Sequence, residues 1–388
     1  MKSIYALFTF IFLQVSFAQN WNIQADFPAA ERDDAVAFTL LGKGYCVTGK
    51  TPGFVESNFM FAYNPNNNTW ERKADFPGIK RQYASVFTLY NKAYLIGGYD
   101  ENGNALKEVW EYEPLEDKWS QKNDFPDSAR WSAIAFSINN KGYFGLGTTH
   151  NSLLKDIWEY TPKTDTWQPK KDFPGIGRRD AIGVAIYNRA LVGLGHTDFS
   201  SSGQLKDLYE YSAENDTWKS VADYPGEGRS YTHAESINNK IFIGGGMKED
   251  LSYANDTWSF DFLSKEWKNQ PNFPGNVRGC SQFVIGQSLY ICTGLIDNIG
   301  RAKFLYSLTI DKEELKIFPN PTSDFLFLNL NNTEFPAQLE IYSLQGNLVQ
   351  ENTLESNNIN ISNLPQGNYI LIIENAQTQK IIYSIIKK

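Results

Sequence analysis

A twelve-residue motif recurs six times along this chain and constrains its fold more than any other feature. Each copy reads Trp, four residues, Asp or Asn, an aromatic residue, Pro, three residues and Arg, as in "WERKADFPGIKR". A period of 48 to 51 residues predicts one repeated supersecondary unit, because a single unit cannot bury its apolar faces without neighbours. The copies begin at Trp21, Trp70, Trp119, Trp167, Trp218 and Trp267 and end at Arg32, Arg81, Arg130, Arg178, Arg229 and Arg278.

Within each repeat, the residue pattern has the period of β-strands. The second repeat contains four short runs rich in aromatic and β-branched residues, "YASVFTLY", "KAYLIGGYD", "LKEVWEYEP" and "KWSQKNDFP", separated by turn signals. The second run of most repeats ends in Gly, and the third carries an aromatic residue seven positions before the next Trp. Each repeat is therefore predicted to form a four-stranded antiparallel meander.

The Gly-ended strand, the Tyr of the third strand and the Trp seven residues later resemble the kelch repeat. The resemblance covers roughly residues 20–311 and recurs in six units. It implies a β-propeller in which each repeat forms one four-stranded blade around a central channel.

The ends of the repeat region predict how this propeller closes. Six sets of first-to-third strands are present, but no Trp-containing fourth strand follows the last set. The segment "WNIQADFP" near the N-terminus supplies the missing strand and would cover an edge that is otherwise open. We predict an all-β chain: a six-bladed kelch β-propeller over residues 19–311, closed by its N-terminal strand and followed by a small Ig-like β-sandwich.

Both ends of the chain carry export signals. Residues 1–18 have a positive start, an apolar run and a Ser-Phe-Ala cleavage site, which predicts a signal peptide. Residues 312–388 lack Trp and alternate like a small sandwich of about seven strands. Through "FPNPTSD", "YSLQGNLV", "LPQGNYIL" and the final "KK", residues 315–388 resemble the sorting domain of type IX secretion cargo. That resemblance implies the type IX secretion machinery as a partner and an extracellular or cell-surface location on a Gram-negative bacterium; an adhesion module is the alternative.

Composition excludes several classes of function. The net charge of −8 argues against general binding of nucleic acid. The three cysteines, Cys46, Cys280 and Cys292, are expected to be small buried side chains rather than a disulfide framework. His150, His196 and His233 show no metal-binding spacing, and no nucleotide or nucleophile motif is present, so we expect no metal and no cofactor. We also expect a monomer.

The six motif arginines are expected to have one structural role, since every repeat contains one. We predict that they pair with the backbone of a neighbouring blade or with a motif aspartate; a cationic ring for an acidic ligand is the alternative. The motif aspartates are Asp26, Asp75, Asp124, Asp172 and Asp223.

Departures from the repeat indicate a candidate site. Aligned on the motif Arg, the fifth repeat has His233 and Glu235 where the others have mostly apolar residues, such as Val36 and Phe38 in the first; the sixth has Gln282 and Val284 there. Ionisable groups at such positions need a partner or a function. The predicted ligand-binding residues are Asp33, Asp34, Tyr83, Trp131, Arg179, Asp180, Tyr231, His233 and Glu235. A polar patch that stabilises one blade interface is the alternative.

The sequence favours a binding module for glycan or protein over an enzyme. The loops after each second strand differ in length and chemistry, which is typical of recognition on a constant scaffold. One enzymatic alternative rests on "DFPGIGRRDA", which is similar to repeats of bacterial N-acetylneuraminate epimerases. That resemblance implies a sugar epimerase or mutarotase without cofactor, in which Glu235, His233 and Arg179 would supply the acid, the base and a cation.

Overall fold

The computed structural model describes residues 20–197, 203–262, 264–310, 317–318, 322, 324–328, 336–356, 358–374 and 380–388. The predicted signal peptide, residues 1–18, lies outside them. The described residues form β-strands and loops, with one short 3-10 turn at Pro52–Phe54. No helix within these ranges is long and apolar enough to cross a membrane.

Five four-stranded antiparallel sheets follow one another along the chain. Each is a meander whose strand order in space is the order in sequence or its reverse, as the repeat predicts. The strands are Val36–Leu40, Lys43–Val47, Phe61–Asn64 and Thr69–Arg72 in the first; Ser85–Leu89, Lys92–Ile96, Val109–Glu113 and Lys118–Gln121 in the second; Ile134–Ile138, Lys141–Gly145, Ile157–Thr161 and Thr166–Lys170 in the third; Ile182–Ile186, Arg189–Gly193, Leu208–Ser212 and Thr217–Ser220 in the fourth; and His233–Ile237, Lys240–Gly244, Thr257–Asp261 and Trp267–Gln270 in the fifth.

A sixth sheet joins the two ends of the repeat region. Its outer strand is the N-terminal Trp21–Ile23, and Trp21 lies opposite Leu308 in the register. Its other strands are Ser281–Ile285, Ser288–Ile296, Gly300–Thr309 and the short Val277–Arg278. Two strand pairs extend the loops elsewhere: Lys50–Thr51 with Val55–Glu56, and Arg81–Gln82 with Tyr99–Asp100.

In the first five sheets the first strand lies innermost, and in the sixth sheet the innermost strand is Ser281–Ile285. These six inner strands contact one another in a closed cycle. The cycle runs from the first sheet through the sixth and back to the first. We interpret the six sheets as blades one to six of a propeller and use these names below. The predicted all-β propeller, closed by its N-terminal strand, is confirmed.

Neighbouring blades are fastened at their outer edges by the repeat Tyr and Trp. Tyr63 donates its hydroxyl to Asn68 Oδ1 (2.9 Å), and the same oxygen accepts the backbone N–H of Ala25 in the preceding blade (2.8 Å). Trp70 Nε1 donates to the Ala25 carbonyl at 2.8 Å. These contacts between neighbouring blades explain why the Trp and Tyr recur. Carboxylates take the place of Asn68 at Asp117, Asp165 and Asp216.

Five motif arginines are buried and bind within their own blades. Each donates Nη1 to the carbonyl sixteen residues later (2.9 to 3.3 Å) and lies over the aromatic ring of its own motif, 4.5 to 4.8 Å from the ring centroid. These contacts join the loop that carries the arginine to the end of the second strand of the same blade. They also give the buried guanidinium a hydrogen-bond acceptor and an aromatic ring. These arginines are Arg32, Arg81, Arg130, Arg178 and Arg229.

The acidic partners of these arginines differ from those expected. They lie just before the third strand of the same blade, and Arg178 binds Asp207 through two contacts of 2.6 and 2.8 Å. Asp75, an expected partner, instead binds Arg72 at 2.8 Å. Arg32 has no acidic partner in the described part of the chain, and Nη1 reaches only carbonyls. The observed carboxylates are Glu108, Asp156, Asp207 and Asp256.

The C-terminal region forms the predicted small sandwich. Ile317–Phe318, Phe325–Leu328 and Asn358–Asn360 make one sheet. Alternate residues of both sheets, including Leu326, Ile341 and Leu371, share one buried core, which is the pattern of two packed sheets. The second sheet contains Leu348–Leu354, Ala337–Ser343, Gly367–Glu374 and Lys380–Lys387, in that spatial order.

Deleting residues 20–28 should prevent the propeller from folding. The deletion removes the outer strand of blade six together with the buried ring of Phe27, and it exposes the edge of Gly300–Thr309. We expect an insoluble or unfolded product by circular dichroism and light scattering. A soluble deletion variant that melts like the full chain would refute closure by this strand.

Candidate functional site

Six backbone hydrogen bonds form a closed ring at one end of the channel. The N–H at each ring position donates to the carbonyl of the corresponding residue in the preceding blade, at 3.0 to 3.2 Å. All six residues have φ between 52° and 58°, in the left-handed region. We call this set the mouth ring: Asp34, Tyr83, Ser132, Asp180, Tyr231 and Gly279.

The mouth ring has approximate two-fold symmetry in its residue types. Going round the ring, the order is Asp, Tyr, small residue, and then the same order again. Opposite positions therefore match, and the rings of Tyr83 and Tyr231 lie 6.2 Å apart across the axis. The two tyrosines narrow the mouth. Asp34 and Asp180 flank them from another pair of opposite blades.

A cavity of about 210 Å³ extends from the mouth ring into the channel. Its wall consists of the ring residues and of small side chains on the inner strands, such as Ala37, Val86 and Ala135. Polar groups are concentrated at the mouth, and Gln282 adds one amide deeper in the wall. This combination of a narrow, smooth channel and a polar rim suits a small ligand that is recognised at the rim.

Burial and charge perturb the groups of the mouth. Burial, followed by the charge of Asp33, raises the pKa of Asp34 well above its usual range. Burial together with the nearby aspartates also raises the pKa of Tyr83 and of Tyr231. Asp34 is thus a carboxyl that holds its proton readily, in a site where donors and acceptors lie side by side.

Arg278 belongs to this site, although its spacing in the sequence matches that of the structural arginines. In blade six, Val277 takes the place of the motif Arg: its carbonyl accepts the Gly246 N–H, as the Arg130 carbonyl accepts the Gly98 N–H. Arg278 is displaced by one position and lies over the ring of Tyr231, 4.6 Å from its centroid. Burial alone would lower the pKa of Arg278, but the nearby Asp34, with Tyr83 and Tyr231, raises it.

Three predicted residues precede ring positions and form an outer layer around them. Asp33 accepts a hydrogen bond from Arg301 Nε at 2.5 Å. Trp131 packs against Tyr99, with ring centroids 4.7 Å apart. Arg179 Nε lies 3.7 Å from Asp180 Oδ2.

His196 is a mouth residue that the sequence did not assign to the site. Its side chain is fully buried, and Nε2 lies 2.9 Å from Asp180 Oδ2. Arg301 was also missed, because it lies on a third strand far along the chain from Asp33. In the sequence, both residues could have been noticed because neither has a counterpart of the same type in the other repeats.

The structure places His233 and Glu235 away from the channel, which differs from the expectation. Ala234, between them, lines the cavity, so these two side chains face the interface between blades five and six. His233 approaches Phe273 there (6.4 Å between centroids). Glu235 lies opposite Phe242, where other blades pair Phe with Tyr, as at Phe38 and Tyr45.

In blade six the alignment itself needs a correction. Gln282 lines the cavity, whereas Ser281 and Phe283 are the buried residues of that inner strand. Alignment on Arg278 shifted this strand by one residue and so exchanged its two faces. The three histidines lie in different surroundings, and no group of three His, Cys, Asp or Glu within the described ranges could hold a metal ion.

Comparisons with known families agree with the repeats. Residues 34–227 match the model described as the KLHDC2/KLHL20/DRC7 Kelch-repeats domain, and residues 228–274 match the Kelch motif. The chain is a kelch-repeat protein. Residues 316–388 of this kelch-repeat protein match the secretion system C-terminal sorting domain, which points to the type IX secretion machinery and to the cell surface or extracellular space.

Among solved structures, the kelch-repeat protein is similar to the one titled "Structure of YjhT". The two share 15% sequence identity with a TM-score of 0.64, and the match covers 77% of this chain and 100% of that chain. At this identity the likeness shows the fold alone. No curated protein matches the kelch-repeat protein.

The free energy of unfolding should depend on Glu235 between about pH 6.5 and pH 8. Burial raises the pKa of Glu235 to about 8, while an unfolded Glu ionises near about 4.3. The native state therefore keeps a proton that the unfolded state has lost, and stability falls as pH rises through this range. In the same range His233, whose pKa burial lowers to about 3, is mostly neutral in both states.

Denaturant melts of Glu235→Gln should show a flatter pH profile than the parent protein in that range. The control is Glu266→Gln, because Glu266 is exposed on an outer loop and should leave the profile unchanged. Parallel profiles for the parent and Glu235→Gln would contradict the assignment of a protonated carboxyl at this interface.

Proposed function

We propose that this kelch-repeat protein is an exported binding module whose mouth ring takes a small polar ligand, with a glycan residue as the ligand class. The observation that carries the proposal is a set of buried polar atoms at the mouth without hydrogen-bond partners among the described residues. They are Asp34 Oδ2, Arg278 Nε and Nη1, and Thr232 Oγ1. Buried polar atoms of folded proteins are normally paired, so these atoms favour a ligand or ordered water at the mouth.

The chemistry of these atoms supports a hydroxyl-rich ligand. A protonated Asp34 can donate one hydrogen bond and accept another, and Arg278 offers donors next to it. Sugar hydroxyls both donate and accept, and the rings of Tyr83 and Tyr231 provide flat apolar surface beside them. The small cavity suits one sugar unit better than an element of a folded protein, which supports glycan over protein as the partner.

Export of the chain also supports a glycan as the ligand. The sorting domain carries the propeller to the cell surface or beyond, where glycans are common ligands. Residues 315–388 would contact the type IX secretion machinery of a Gram-negative bacterium. The loops after the second strands surround the mouth, as at Gly49, Gly98 and Gly147, so their differences would tune recognition of a larger glycan.

A second candidate function is exchange between the anomers of a sugar. The specific observation is the pair of carboxyl residues in the mouth ring, Asp34 and Asp180, next to the two tyrosines Tyr83 and Tyr231. Ring opening requires an acid and a base near the ring oxygen and the anomeric hydroxyl. The resemblance of "DFPGIGRRDA" to N-acetylneuraminate epimerases favours this reading, with Asp34 and Asp180 in the roles first expected of Glu235 and His233, and with Arg179 as the cation.

Ligand-detected NMR of the mature chain against a panel of monosaccharides tests both functions. The panel contains neutral hexoses, N-acetylhexosamines and sialic acid, and exchange spectroscopy on the same samples reports interconversion of anomers. We expect binding by at least one sugar. Asp34→Ala and Arg278→Met should each weaken it about tenfold or more, since a buried polar group left without its hydrogen-bond partner costs roughly 1 to 3 kcal/mol.

The matched control is His233→Ala, which changes an ionisable residue at a blade interface rather than at the mouth. Binding with accelerated anomer exchange would support the enzyme, and binding without it would support the binding module. Binding that responds to His233→Ala but not to Asp34→Ala or Arg278→Met would overturn the assignment to the mouth. Silence across the panel would refute the glycan proposal.

A further inference from the structure

Blades six and one meet at the seam where the propeller ring closes. Elsewhere, consecutive blades follow each other directly along the chain, but at the seam the last strands pair with the N-terminal Trp21–Ile23. This pairing spans three residues, with Trp21, Asn22 and Ile23 opposite Leu308, Ser307 and Tyr306. Further backbone hydrogen bonds to the same strand continue this contact, and the closure as a whole is noncovalent.

Two cysteines face each other across this seam. Cys46 lies on the second strand of blade one and Cys292 on the second strand of blade six, and both are fully buried. They belong to one apolar cluster between these blades, together with Tyr63 and Phe283. By strand register, Cys46 lies opposite Ala37 and Cys292 lies opposite Ser281, whose hydroxyl donates to the Ala35 carbonyl of blade one at 3.0 Å.

The equivalent positions at the next interface contain apolar residues in contact. By strand register, Cys292 corresponds to Val47 and Cys46 to Leu95. Val47 and Leu95 pack in the same cluster between blades one and two. The two positions thus face each other across a blade interface, and only the seam has cysteine at both.

We propose that Cys46 and Cys292 form a disulfide in the exported protein and join the first and last blades covalently. The predicted leader and the sorting domain take the chain through an oxidising compartment, where paired cysteines become disulfides. Cys280, the third cysteine, lines the channel instead and remains a thiol.

The oxidation balances through thiol–disulfide exchange with an oxidised dithiol oxidase. The Cys46 thiolate attacks the oxidase disulfide and forms a mixed disulfide, and one oxidase sulfur leaves as a thiol. The Cys292 thiolate then attacks the Cys46 sulfur, and the second oxidase sulfur leaves. Two protein thiols are oxidised, one oxidase disulfide is reduced, and both protons end on the oxidase dithiol.

Local electrostatics at the seam act on the Cys46 thiol once the two blades have met. The hydrogen bond from Cys292 lowers the pKa of Cys46, and the Arg32 cation acts in the same direction against the effect of burial. Arg32 is the motif arginine without an acidic partner, and its Nη2 is unpaired within the described ranges. Because both sulfurs are covered in the folded protein, the exchange occurs while blade six docks onto blade one.

Mass spectrometry of the mature chain tests the proposal directly. The protein is exported into an oxidising compartment, denatured in acid, alkylated without reductant and digested. We expect complete alkylation of Cys280 and a cross-linked peptide that joins Cys46 to Cys292. Alkylation of all three cysteines, or a cross-link that involves Cys280, would overturn the proposal.

Thermal melts give a second readout that does not depend on the packing of a variant. Unfolding, reduction and refolding with dithiothreitol should lower the Tm of the parent protein by about 5 °C or more, because the disulfide closes a loop that includes most of the propeller. Cys280→Ala should show the same response. The double variant Cys46→Ala, Cys292→Ala should show none, and an equal response in the double variant would contradict the disulfide.

Discussion

The hydrogen bonds of the mouth ring set the geometry on which the propeller and its site both depend. Each bond requires a left-handed residue where the chain enters an inner strand, and for residues other than Gly that conformation costs roughly 1 to 2 kcal/mol. The ring bonds and blade contacts offset this cost. Because the ring residue has the same left-handed conformation in every blade, the side chains at this position meet at one place whatever their identity. Sequence variation at a constant turn is therefore enough to build a site.

Much of the fold could be predicted because the residues that recur in the repeat are those that hold the blades together. Trp70 and Tyr63 recur since they bind the neighbouring blade, and Arg178 recurs since it joins a loop to a strand. A missing final strand at one end and a spare Trp at the other predicted the closure. The partners of the arginines could not be predicted, because Asp207 and its equivalents are not at a constant distance from the motif: the separation varies from 26 to 29 residues.

The residues of the mouth were only partly predictable, and the misplacement in blade six has a clear physical origin. Asp34, Tyr83, Asp180 and Tyr231 stood out as departures at one position of the repeat, and that position is the ring. Arg278 was misassigned because the turn of blade six is one residue shorter, although the Trp-to-Arg spacing is unchanged. Side chains alternate between the faces of a strand, so a shift of one residue exchanged the channel face for the blade interface. Spacing alone cannot detect such a shift.

The departures from the repeat are concentrated where the ring closes. Arg32 lacks the carboxylate that four other blades supply, Cys46 and Cys292 lie where the next interface has Leu95 and Val47, and Val277 takes the place of an arginine. A seam is the one interface that joins distant parts of the chain, so its contacts are not constrained to match the others. The surroundings of the mouth ring differ in the same way. Arg278 lies near Asp34, whereas Asp180 on the opposite side of the ring contacts His196 and Arg179. The two aspartates are equivalent in the ring but differ in their surroundings, so a ligand that binds both would have one preferred orientation.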